Sequence, residues 1–229
     1  MNTIWDENNL LSVREHAYRH LKELILEGYF KPGDRLKERD LADKLKISRT
    51  PIREALFRLE SQGFVKTVPR RGVIVSNISE EEVIEVFTIL SSLEVLAVKL
   101  AAERIEPDMK TNLENQISEL DALINGAEQD FENKNIETNL LIYRTAKSPR
   151  LYTILSGLID YIQMSAHMGY ETPGRKKESL KEHMEILKAI KNQEVELAEY
   201  LTKIHIANSK KAYVHFMKKV KEKRKKEKD

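Results

Sequence analysis

Residues 33–59 read Gly-Asp-Arg-Leu-Lys-Glu-Arg-Asp-Leu-Ala-Asp-Lys-Leu-Lys-Ile-Ser-Arg-Thr-Pro-Ile-Arg-Glu-Ala-Leu-Phe-Arg-Leu. The stretch predicts two short helices joined by a tight turn. Leu41, Leu45 and Ile47 are the apolar positions of the first helix and its exit. Ile52, Ala55, Leu56 and Leu59 follow at the i, i+3, i+4, i+7 spacing of one helical stripe. Ser48 suits the N-cap of the second helix, and Pro51 falls in its first turn, where a missing N–H costs nothing. That leaves Arg49, Thr50, Arg53 and Arg58 for the polar face. Guanidinium groups read guanine in bidentate fashion, and hydroxyls at a helix N-terminus hold phosphates. The pattern is that of a helix-turn-helix, whose second helix meets base edges with its N-terminal end. The alternative at this point is an ordinary helical hairpin with a solvated charged face.

The flanking sequence favours double-stranded DNA as partner. Residues 63–68 predict a strand, Pro69-Arg70-Arg71-Gly72 a basic turn, and 73–76 a return strand. A helix-turn-helix followed by such a ribbon is a winged helix, with Arg70, Arg71 and the Gly72 backbone at the tip. Upstream, residues 11–28 predict an amphipathic helix with Val13, Ala17, Leu21, Leu24 and Ile25 on its apolar side, ended by Pro32-Gly33.

The 229 residues hold 41% hydrophobic side chains and no cysteine. A disulfide framework and a thiolate metal site are thereby excluded, and a reducing compartment fits. No apolar run approaches the roughly 18 residues of a membrane span, and Asp6 and Glu7 stand where a signal peptide carries positive charge. The expectation is a cytoplasmic protein with no membrane partner. The net charge of +2 is unevenly distributed. Residues 1–76 carry 15 Lys/Arg against 11 Asp/Glu, residues 77–217 carry 16 against 23, and residues 218–229 carry 8 against 3. We therefore expect three parts: a DNA-binding domain over 1–76, an acidic domain over 77–217, and a basic, disordered tail over 218–229.

The acidic part predicts helices throughout. Ser79-Glu80-Glu81-Glu82 is a capping box opening a helix to about Arg104, with Val83, Val86, Phe87, Leu90, Leu93, Ala97, Leu100 and Ala101 as its inner seam. Further helices are expected from Pro107, over about 129–146, from Ser148-Pro149 to about Met168, and over about 176–191 and 194–220. The fold class is mainly α: an N-terminal winged helix-turn-helix and a C-terminal all-α bundle. No nucleophile elbow and no phosphate-binding glycine loop occurs, so catalysis is not expected. His16 and His20 share a helix face but have no third ligand nearby in sequence.

The run from Gly28 to Val75 resembles the GntR family of bacterial transcription regulators. The resemblance rests on Pro32-Gly33, Leu36, Glu38, Leu41-Ala42, Ser48 through Leu56, Gly63 and Arg71-Gly72. It implies DNA contacts by Arg39, Ser48, Arg49, Thr50, Arg53, Arg71 and Gly72. The rest resembles the FCD domain, the helical effector module of the FadR subfamily, through Leu93-Glu94, Ala97, Ile142-Tyr143, Ala146 and Glu182 through Ile190. Many FCD domains hold a divalent metal on one Asp and three His. Here those positions fall on Asn135, Asn139, His183 and His205, and an Arg that often meets carboxylate effectors is replaced by Leu90. These five residues are the expected effector pocket. The expectation is a hydrogen-bonded polar cluster in place of a metal centre and no cofactor, with a weakly held divalent metal at His183 and His205 as the competing reading. The resemblance then implies a homodimeric repressor that binds a palindromic operator and answers to a small-molecule effector with a neutral or apolar body. The alternative is a C-terminal domain that only dimerises and senses no ligand.

Overall fold

A computed structural model describes residues 12–77, 79–126, 131–163 and 170–226. The chain divides into two compact units, Met1–Asn77 and Ile78–Asp229.

The first unit contains α1 (Val13–Leu26), α2 (Glu38–Leu45), α3 (Arg49–Ser61), β1 (Val65–Val68) and β2 (Gly72–Val75). Helix α1 starts at the Ser12 cap, and its buried face of Ala17, Tyr18, Leu21 and Ile25 packs on α3. From α3 come Ile52, Ala55, Leu56 and Leu59, all buried, as the helical spacing requires. Leu21 and Leu59 are fully enclosed, and truncating either to Ala would cost about 2–5 kcal/mol. The turn between α2 and α3 rests on Lys46 in the left-handed region, φ 54°, with the Ile47 N–H donating to the Ala42 carbonyl. β1 and β2 pair antiparallel, Val65 opposite Val75 and Val68 opposite Gly72. The segment at Arg35 adds a bridge to Ile74 on the outer side of the ribbon. That bridge was not expected, because three extended residues between Gly33 and Lys37 give no periodic signal.

The second unit is an all-α bundle: α4 (Glu80–Arg104), α5 (Pro107–Asn125), α6 (Phe131–Thr145), α7 (Pro149–Gln163), α8 (Arg175–Lys191) and α9 (Val195–Lys226). The Ser79 capping box closes the start of α4, each partner's side chain bonding the other's backbone N–H. Helix α4 lies along α9 and also meets α6, α7 and α8, so it is the central helix. Its buried side is Val83, Phe87, Leu90, Glu94, Ala97, Val98, Ala101 and Ala102. Val86, Leu93 and Leu100, expected in the seam, are half-buried at its margin.

One expectation meets a different structure, and one runs beyond the described residues. Helix α9 continues to Lys226, through most of the segment expected to be a disordered tail. Lys, Glu and Arg are good helix formers, and Lys221 pairs with Glu80 at the start of α4. The expected fourth helix is described only to Gln163, and its last five positions lie outside the described residues.

Candidate DNA interface and effector cavity

The candidate recognition surface is set by the opening of α3. Ser48 takes the N-cap backbone conformation without a side-chain capping bond. Ser48, Arg49, Thr50 and Arg53 are all exposed, as is Arg39 on α2. Arg53 forks onto Glu38, its Nε 3.1 Å from one carboxylate oxygen and a terminal nitrogen 2.9 Å from the other. Bonding to Arg53 holds the Glu38 carboxyl below its usual range, with Arg49 contributing. This exposed ion pair adds little stability, but it fixes the plane of a guanidinium at the outer face of α3. At the ribbon tip Arg70, with φ 63°, and Arg71 are exposed. Gly72, at φ 78°, adopts a backbone that L side chains rarely take, and the Arg35 guanidinium lies 3.6 Å from where a Cβ would stand. Arg58 does not join this surface. It bonds Glu15 at 2.6 Å and stacks over the Tyr18 ring at 3.7 Å, because its place near the end of α3 turns it toward α1.

The residues expected to form an effector pocket separate into two groups. Asn139, His183 and His205 line one small cavity together with Glu94, Val98, Ile142, Tyr143, Ile186 and Thr202. The empty space is about 220 Å³ including the mouth. Asn135 and Leu90 are buried but do not line it. Asn135 instead donates to the Tyr170 hydroxyl. Within the cavity His183 Nε2 lies 3.1 Å from Asn139 Oδ1, and the His183 and His205 rings are 4.3 Å apart. Burial, aided by the neighbouring His205, pushes the His183 imidazole well below its usual pKa.

Behind His205 stands a buried ionic network that no sequence pattern announced. Arg175, the first residue of α8, grips Glu182 with two bonds of 2.9 and 2.7 Å and also donates to Ser209. His205 Nδ1 and Asn208 donate to the same carboxylate, each at 2.7 Å. Although burial opposes it, bonding to His205 and Arg175 holds the Glu182 carboxyl at about 2. Glu94 was also missed as a site residue. Its carboxyl accepts from the Tyr143 hydroxyl, and burial raises its pKa. It stands four residues after Leu90 and seven before Ala101, on the buried stripe of α4, so spacing alone could have flagged it.

The donor set does not fit a transition metal. Among the described residues no three His, Cys, Asp or Glu side chains are grouped so as to hold one. One imidazole nitrogen of His183 faces an amide oxygen, and Nδ1 of His205 belongs to Glu182.

Family models for gntR bacterial regulatory proteins and for the FCD domain match residues 13–75 and 85–208. The HTH-type transcriptional regulator YdhC of Bacillus subtilis is 32% identical over 80% of this chain and 82% of its own length. McbR of Escherichia coli is 30% identical over 77% of this chain and 81% of its own. The solved E. coli McbR/YncC structure superposes with a TM-score of 0.74 at 27% identity, covering 90% of this chain and 100% of that one. The E. coli repressor RspR is 23% identical over 85% of this chain and 86% of its own.

Proposed function

We propose, from the premise that this chain belongs to the gntR family of bacterial regulatory proteins and carries an FCD domain, that it is an effector-responsive repressor acting as a homodimer. Family membership makes it a DNA-binding transcription regulator and a non-enzymatic protein. No helix among the described residues is long and apolar enough to cross a membrane. The observation that carries the DNA-reading proposal is the exposed opening of α3, where Ser48, Arg49, Thr50 and Arg53 stand together.

In the proposed complex that end of α3 enters the major groove. Arg49 and Arg53 bond guanine edges, and Ser48 and Thr50 hold phosphate. Arg39 binds backbone beside them, while Arg71 and the Gly72 backbone follow the adjacent groove. One winged helix reads a short site, so a two-fold dimer reading a palindrome supplies the specificity. An effector held in the C-terminal cavity shifts DNA affinity only by its preference for one conformation over the other. The repressor assignment leans on relatives such as RspR, whose name carries that role.

The tightness of the cavity favours a second reading. Binding pockets are typically about 300–1,000 Å³, larger than this one, which suits a domain that only dimerises. The test is selection of operators from random duplexes, followed by anisotropy titration with small metabolites. A selected palindrome whose affinity collapses when one half-site is scrambled supports the dimer. Equal affinity for a lone half-site overturns it. Ligands that change operator affinity in wild type and fail after Thr202→Leu support the sensor; a complete absence of such ligands supports the dimerisation-only reading.

A further inference from the structure

The cavity described above has a polarity that limits what it can bind. Of its nine lining residues none is Lys or Arg. The nearby Arg175 is bound on both forks to Glu182. The donors of the lining are mostly engaged within the protein. Tyr143 donates its hydroxyl proton to Glu94. Thr202 donates to the Ala198 carbonyl at 2.8 Å, and His205 Nδ1 to Glu182 at 2.7 Å. His183 Nε2 faces Asn139 Oδ1, an atom that only accepts. What these groups have left to offer are lone pairs: the Glu94 carboxyl, the Tyr143 and Thr202 oxygens, and Asn139 Oδ1. The donors that remain are the Asn139 amide N–H and, while Glu94 is protonated, its carboxyl O–H. Val98, Ile142 and Ile186 supply an apolar wall.

Resting on the reading of this cavity as the effector site, we infer that it takes a small primary ammonium ligand with a short apolar body, its charged head on Glu94, and not a carboxylate. An ammonium group brings three donors and no acceptor, which matches this lining. A carboxylate brings only acceptors and, once Glu94 is ionised, meets a like charge as well as other lone pairs. The cavity has room for about one water-sized body among its polar groups, enough for an ammonium head, so the Val98, Ile142 and Ile186 wall must give way to admit the alkyl body. Charge balance follows, since Arg175 and Glu182 cancel and an ionised Glu94 is neutralised by the ligand. Burial favours the protonated form of Glu94 in the empty site, so a proton and the ammonium ligand compete for the same carboxylate. A carboxylate ligand would have the opposite linkage, since only the protonated Glu94 carboxyl could donate to it.

The full-length protein is titrated in a calorimeter with methylammonium and ethylammonium chloride, and separately with sodium formate and acetate, at equal ionic strength. The expected result is saturable one-to-one binding of the alkylammonium ions, tighter near pH 7 than near pH 5, and none of the carboxylates. Glu94→Gln keeps the acceptor for Tyr143 and removes the charge, and it should weaken alkylammonium binding roughly tenfold or more. If that variant fails to fold, the pH dependence in wild type still decides. Alkylammonium binding that strengthens toward acid, or that survives Glu94→Gln, overturns the inference. Saturable carboxylate binding that is lost in His183→Ala overturns it while leaving the effector-site reading standing. Binding of neither class also overturns it, and the sensor reading is then decided separately by the metabolite titrations on operator DNA.

Discussion

At the scale of single residues, Arg53 shows why charge alone does not define the proposed DNA contact. Its planar guanidinium is held in one orientation by the two bonds it donates to Glu38, a geometry that an ammonium cannot copy. Arg53→Lys keeps the charge and loses the fork. The expected outcome is a loss of roughly ten- to a hundredfold in affinity for the selected operator, the scale of one bidentate base contact, with little loss on random DNA. Anisotropy titration on both duplexes measures the difference, and equal losses on the two would show that Arg53 touches only phosphate. Arg58 carries the contrary lesson. Its side chain is tied to Glu15 and Tyr18, so Arg58→Ala should lower thermal stability and leave operator sequence preference unchanged. Sequence placed both arginines on the polar face of one helix. The five-residue step between them turns the second toward α1, and that depends on where α1 packs.

At the scale of elements, capping was legible because it is local. Ser79 and Glu82 satisfy backbone groups three residues away, and the sequence states both partners. Ser79→Ala should therefore cost about 1 kcal/mol in a denaturant titration. The Arg175–Glu182–His205 network was not legible. It joins α8 to α9, and helix periodicity carries no information about which polar residues of two separate helices meet. The inward placement of His183 and His205 could be read from the apolar stripes around them; the burial that keeps His183 neutral could not. That burial has a sign in solution. Folded His183 resists protonation, while the unfolded imidazole takes a proton below about 6.5. The unfolded state then binds more protons, so this group's contribution is full above that pH and declines by roughly 1 kcal/mol per pH unit below it. Glu94 works the other way, since its raised pKa favours the folded state in acid. Glu182, held at about 2, is lost only in stronger acid. The His183 contribution is isolated by comparing wild type with His183→Gln. Between about pH 7 and 5 the variant's melting temperature should fall less, and parallel curves would show that His183 titrates freely.

At the scale of the whole molecule, the division of charge is the feature most directly tied to DNA. The first 76 residues and the last 12 are basic, and the span between them is acidic. Two-unit organisation was visible in that composition, because domains that face different partners differ in charge before they differ in shape. Where the helical order ends was not visible, since a Lys-rich end with few apolar residues satisfies both a solvated helix and a disordered tail. Helix α9 reaches Lys226 with Lys219, Lys221 and Lys223 exposed. These lysines meet water on most sides, and Lys221 is the solvated partner of a half-buried Glu80, so the pair adds little stability. Removing residues 218–229 should then leave the melting temperature nearly unchanged. If the basic end reaches DNA it does so through phosphate alone, since ammonium groups on a solvated helix end have no fixed geometry toward bases. The truncated protein should bind operator and random DNA more weakly by the same factor. Its plot of log affinity against log salt should flatten by about 0.9 for each phosphate that it no longer touches. An unchanged slope would confine DNA binding to the winged helix. A loss on the operator alone would mean that the end of α9 reads sequence, which lysines without fixed geometry cannot do.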